Sequence, residues 1–170
     1  MAEKYLRNAS HLGELILRLP VKEPLELGKG RSLVITPSGS MVGRLGFEPG
    51  FLILESGYGV DCDDELRKAI VELTGNQFVQ GDTHEVVDGV LLWWREGDSD
   101  LVDELVDVLA YLIENGSIWV LTPKAGRPRH VEPSDIQVAA PTAGLSQTSS
   151  FAIAPDWSAT RMVARRIGKR

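Results

Sequence analysis

The chain has 170 residues, 43% of them hydrophobic and 25% charged, which fits one globular domain able to bury a core. Its net charge of −6 disfavours non-specific binding to nucleic acid, and its single cysteine, Cys62, excludes an internal disulfide and a thiolate zinc cluster. No apolar run approaches the roughly 18 residues of a membrane span and no basic-then-apolar leader opens the chain, so the sequence predicts a cytoplasmic protein without membrane contact.

Residues 1–40 read as an N-terminal extension, poorly ordered or upstream of a native start near Met41. Leu12, Leu15, Ile16 and Leu19 fall at helical spacing, and Pro20 would end that helix. Ser32–Thr36 reads as a short strand. Lys22-Glu-Pro24, Gly28-Lys-Gly30 and Pro37-Ser-Gly-Ser40 are turn chemistry.

From Met41 a single α/β domain is predicted to about Ile167, with a basic end at 168–170. Gly46–Gly50 is a turn and Phe51–Glu55 a buried strand. A glycine-containing loop, Ser56–Gly59, leads to a helix over Asp63–Thr74, whose first-turn acids suit the helix dipole. Gly75-Asn76 ends that helix, and Gln77–Gln80 reads as a short strand. Asp88–Trp94 is a second buried strand. Asp98-Ser-Asp100 caps a helix running to about Glu114, closed by Asn115-Gly116. Ser117–Leu121 is the next strand, Thr122–Val131 a loop, and Glu132–Ala140 a helix. Leu145–Ala154 and Thr160–Val163 pair antiparallel across Asp156-Trp-Ser158. Apolar strands alternating with amphipathic helices are the pattern of a parallel sheet buried on both faces. The predicted fold is a mostly parallel, Rossmann-like three-layer sandwich with an antiparallel C-terminal hairpin.

Two resemblances follow from these phrases. Glu55-Ser-Gly57-Tyr-Gly59, Asn115-Gly-Ser-Ile-Trp-Val120 and Ala143-Gly144-Leu145 resemble the first motif, the late sheet strand and the hairpin entry of class I S-adenosylmethionine-dependent methyltransferases. A tighter set resembles an actinobacterial family labelled domain of unknown function 3052. It comprises Leu45-Gly-Phe-Glu-Pro-Gly50, Glu85-Val-Val-Asp88, Val90-Leu-Leu-Trp-Trp-Arg-Glu-Gly-Asp98 and Ile118-Trp-Val-Leu-Thr-Pro-Lys-Ala-Gly-Arg127. His130-Val-Glu-Pro-Ser-Asp135, Ala140-Pro-Thr-Ala-Gly-Leu145 and Asp156-Trp-Ser158 complete it, and together the phrases span about Gly43–Val163. The resemblance implies a reduced methyltransferase-like fold and carries no established activity with it.

It also implies where a cofactor would sit. Glu55, Gly57 and Gly59 would contact S-adenosylmethionine, the glycines by letting the backbone approach the ligand. Asp82 or Glu85 would hold the ribose hydroxyls. Gly-x-Gly without a third glycine is a weak fingerprint, and Asp61, Asp63 and Asp64 would repel a pyrophosphate while tolerating a sulfonium. The interval from Thr74 to Asp88 is too short for a full strand–helix–strand, so one piece of such a fold is absent. S-adenosylmethionine is therefore the one candidate cofactor, and no metal is predicted, because His11, His84 and His130 lack ligand spacing.

Between Glu55 and Glu114 sixteen acids outnumber three bases, Arg67, Lys68 and Arg95. Against that background Lys124, Arg127, Arg129 and His130 gather on one loop at the carboxyl end of a strand, where open α/β sheets bind ligands. That loop, with Trp94 and Arg95, is the candidate site for a small anion or a protein partner. Adjacent Trp93 and Trp94 point to opposite faces, so at most one lines a pocket. Arg95 with Asp98 or Asp100 reads as a structural ion pair. No nucleophile motif accompanies His130, and no catalytic residue is assigned. The sequence favours a non-catalytic ligand- or protein-binding module. The alternatives are an active methyltransferase, and a nucleic-acid contact through the five bases of Arg161–Arg170.

Overall fold

In chain order the elements are a 3-10 turn at Val42–Leu45, β1 (Ile53–Ser56), α1 (Asp64–Thr74), β2 (Val87–Trp93), α2 (Leu101–Leu109), β3 (Leu112–Pro123), α3 (Pro133–Thr142), β4 (Leu145–Ala152) and β5 (Trp157–Ala164). They come from a computed structural model that describes residues 41–166. The expectations for Leu12–Leu19, Ser32–Thr36, His11 and the basic end at 168–170 lie outside the described residues.

The strands form one sheet in the order β1-β2-β3-β5-β4. β1, β2 and β3 run parallel, and β5 and β4 complete the sheet antiparallel. The alternation of side chains along a strand divides the core. Leu91 and Trp93 of β2 pack with Leu66 and Ile70 of α1, whereas Val90, Leu92 and Trp94 pack with Leu105 of α2 and Ile136 of α3. Both faces are covered, which is why β2 and β3 are near-continuous apolar runs. Leu66 and Leu105 are fully buried, and truncating either to alanine would cost about 2–5 kcal/mol.

The helix ends follow local chemistry. Asp63 caps α1 by accepting the Leu66 N–H at 2.7 Å, and Asp100 caps α2 by accepting from Val102 and Asp103. Gly75 closes α1 in the left-handed conformation, its N–H bonded to the Val71 carbonyl.

Four expectations are corrected. The helix predicted to Glu114 stops at Leu109, and β3 begins at Leu112, because the Val87 N–H bonds the Tyr111 carbonyl and Leu112 pairs with Val87. Asn115-Gly116 is a kink inside β3 rather than a helix end. Asn115 has φ 69°, and the pairing register with β2 shifts between Val87 and Gly89. Gln77–Gln80 forms no strand but a single parallel bridge, Leu54 to Val79. α3 extends beyond Ala140 to Thr142, with Pro141 inside its last turn.

The short interval after α1 does lack a full strand–helix–strand, leaving that bridge at the β1 edge. No helix among the described residues is long and apolar enough to cross a membrane.

Candidate functional site

The carboxyl ends of β1 and β2 lie side by side, so the loop after Ser56 meets the residues after Trp93. Glu55 is the last fully buried residue of β1. Arg67 of α1 grips its carboxylate at two points, Nε to Oε1 at 2.7 Å and Nη2 to Oε2 at 2.8 Å. The Trp93 indole N–H donates to Oε1 at 3.0 Å. A buried carboxylate needs such partners, and here the chain supplies them all. Tyr58 covers the Arg67 guanidinium, 4.0 Å from ring centroid to Cζ.

The glycines of the loop make room for the protein itself. Gly57 has φ 74°, and a Cβ on it would lie 2.0 Å from the Trp93 carbonyl oxygen. A Cβ on Gly59 would lie 2.9 Å from Asp61 Oδ1 and 3.1 Å from Arg95 Nη2.

What fills the loop is Arg95, 5% exposed. Its Nε donates to Asp61 Oδ2 at 2.7 Å and its Nη2 to Asp61 Oδ1 at 2.6 Å. Nη1 donates to the Gly57 carbonyl at 2.9 Å. The guanidinium lies 5.1 Å from the Trp157 ring, and the Trp157 indole donates to the Asp61 carbonyl at 3.1 Å. The hydrogen bond from Arg95 holds the Asp61 carboxyl below its ordinary range, against an opposing desolvation. Cys62 Sγ accepts from Gly59 N–H at 3.2 Å and from Arg95 Nη2 at 3.3 Å, yet burial outweighs both and pushes the thiol up.

The expected Arg95–Asp98 pair is present but loose at 3.7 Å. Asp61 is the principal partner instead, and Asp100 is spent on capping α2. Both tryptophans are buried on opposite faces, but the expectation that at most one lines a pocket is corrected: both border an open cleft of about 340 Å³ at the strand end, shared with Ser56, Tyr58, Ser99 and Glu104. The Trp94 indole donates to the Ser99 carbonyl. Asp82 is exposed in the turn after the Leu54–Val79 bridge, and Glu85 is exposed beyond it.

The cationic loop divides. Arg127 pairs with Asp156 at 2.7 Å, and Arg129, at φ 58°, pairs with Asp98 and donates to the Glu96 carbonyl. Lys124 donates to the Pro155 carbonyl at 3.0 Å, and His130 Nδ1 meets the Pro123 carbonyl at 2.9 Å. Lys124 and His130 together line a second cleft, about 630 Å³, between α3 and the β4–β5 hairpin. Gln137, Gln147, Ser158 and Thr160 share its wall. Sequence reasoning missed these four, although the run Ser146-Gln-Thr-Ser-Ser150 signals a strand without an apolar face.

A family model described as protein of unknown function (DUF3052) matches residues 42–166. An uncharacterized protein of Mycobacterium tuberculosis is 49% identical over 150 residues, covering 86% of this chain and 94% of the relative. Among solved structures, a putative type 11 methyltransferase from Sulfolobus solfataricus aligns with TM-score 0.52 and 12% identity, covering 70% of this chain and 87% of that one. A SAM-dependent methyltransferase from Aquifex aeolicus aligns with TM-score 0.51 and 11% identity, covering 84% of this chain and 99% of the other. Such identities speak for the fold alone.

Proposed function

We propose a binding role without methyl transfer for this chain, which belongs to the DUF3052 family. The observation that supports it is the Arg95 guanidinium, locked to Asp61 inside the Gly57–Gly59 loop. Glycines at such a loop let a backbone approach a ligand; here they let it approach Arg95 and the Trp93 carbonyl.

The residues present do not fit S-adenosylmethionine. A cofactor in the loop would have to expel a cation that is nearly buried and held by four hydrogen bonds from its guanidinium. Glu55 is bound at both oxygens by Arg67 and at one by Trp93 and is 2% exposed, so its carboxylate is turned to the chain itself. Unpairing a buried charge costs about 3–5 kcal/mol, a penalty any cofactor contact would have to exceed.

Ligand recognition then falls to the carboxyl end of β3, where Lys124 and His130 sit. Calorimetric titration of the full chain with S-adenosylmethionine tests the reading. It predicts no saturable heat. Micromolar binding by folded protein would replace it with the methyltransferase alternative.

A further inference from the structure

We propose that the cleft between α3 and the β4–β5 hairpin binds a small hydroxylated anion, its phosphate or carboxylate at Lys124 and its hydroxyls along Gln137, Gln147, Ser158 and Thr160. The proposal rests on the binding-module reading above and supplies its ligand class and address.

The sheet face facing α3 changes character along one strand. On β5, Met162 lies in the apolar core beneath the helices, and the next same-face residues are Thr160 and Ser158. A face that simply met solvent would also be polar, but Thr160 is 3% exposed and Thr122, opposite Ser158, is 4% exposed. These hydroxyls are walled in rather than washed. Ser150 and Thr160 are cross-strand partners and bond each other at 3.1 Å, with either oxygen able to donate. Such a pair can present a donor or an acceptor to a ligand.

The charge of the cleft opposes that of the molecule. The chain carries −6, yet among the described residues no aspartate or glutamate lines this wall. Lys124 is oriented by one hydrogen bond to the Pro155 carbonyl, which among the described residues leaves two ammonium hydrogens to donate. With Nδ1 donating to the Pro123 carbonyl, the neutral His130 ring presents Nε2 as an acceptor for a ligand hydroxyl, with Glu132 3.4 Å from it. That carboxylate is 70% exposed and can turn away into water when an anion arrives. Arg127 and Arg129 are absent from the wall, each committed to an aspartate. The volume of about 630 Å³ is that of a small-molecule site rather than a protein groove.

The test is a titration of the isotope-labelled full chain, followed by amide resonances, with ribose 5-phosphate, gluconate and uncharged ribose as probes. Saturable shifts for either anion at a Kd of about 1 mM or tighter are expected. They should centre on residues 130–137 and 147–160, with ribose at least about tenfold weaker. Lys124→Ala should weaken the anion about tenfold or more, Gln147→Ala several-fold, and Arg127→Ala not at all. Three results overturn the proposal: no saturable shift with either anion, shifts that survive Lys124→Ala unchanged, or shifts centred elsewhere. Any of these removes the Lys124 address and leaves standing the reading without methyl transfer, which fails on cofactor binding at the Gly57–Gly59 loop.

Discussion

Arg95 and Asp61, 34 residues apart, close the loop after β1 through two parallel hydrogen bonds of 2.7 and 2.6 Å. The fork of a guanidinium matches the two oxygens of a carboxylate, so the pair fixes orientation as well as charge. Gly57 and Trp157 hold it from either side.

Removing Asp61 leaves Arg95 nearly buried without its principal anion, with Asp98 3.7 Å away. Asp61→Ala should therefore cost about 2 kcal/mol, the range for an unsatisfied buried donor, read as a lower denaturant midpoint. Asp61 itself is half exposed, and solvent screening keeps the figure below that of a fully buried pair.

The same pair sets an acid limb. Its hydrogen bond from Arg95 depresses the Asp61 carboxyl, and a depressed carboxyl contributes stability that is full above its unfolded value. That contribution is lost as pH falls through the lower folded value, below about pH 4. Denaturation midpoints from about pH 6 down to 3 should fall for the native chain. In Asp61→Asn that part of the fall should be missing, and identical slopes would contradict it.

Gly57→Ala should destabilise by at least about 2 kcal/mol, because it combines a left-handed backbone with a methyl pressed on the Trp93 carbonyl. Gly43→Ala, with nothing among the described residues within 4 Å of the added methyl, is the control and should change stability by less than about 0.5 kcal/mol. A substitution at Gly57 thus tests the fold before it tests any ligand.

Arg67→Ala should cost about 3 kcal/mol, since it strands the buried Glu55 carboxylate with the Trp93 indole as its remaining partner. Chemical denaturation of the two proteins measures it.

Cys62 should alkylate slowly at neutral pH. Burial holds its thiol above the ordinary range despite the nearby Arg95, and the thiolate is the reactive form. Iodoacetamide labelling of folded protein should lag that of the unfolded chain by about tenfold or more.

Much of the fold is legible in the sequence because β2 and β3 are apolar on both faces and α1 and α2 have acidic caps. The end of α2 is not legible. Tyr111, Leu112 and Ile113 continue an apolar stretch, and only the contact of that segment with Val87 turns it into strand. The site is legible as composition and illegible as pairing. Lys124, Arg127, Arg129 and His130 stand out as cations on one loop, but Asp156 and Asp98 claim the two arginines through contacts no local pattern announces. Asp61 escapes for the same reason: next to Asp63 and Asp64 it reads as one more helix-start acid. Glu55 reads as a ligand contact until Arg67, one α1 turn beyond the cap, reaches back to it.

The most direct test follows the amide resonances of Gly57, Tyr58, Gly59 and Cys62 while S-adenosylhomocysteine is added to folded protein. A loop closed on Arg95 predicts that they stay in place. Saturable shifts at those four residues would contradict the account and return the loop to cofactor binding.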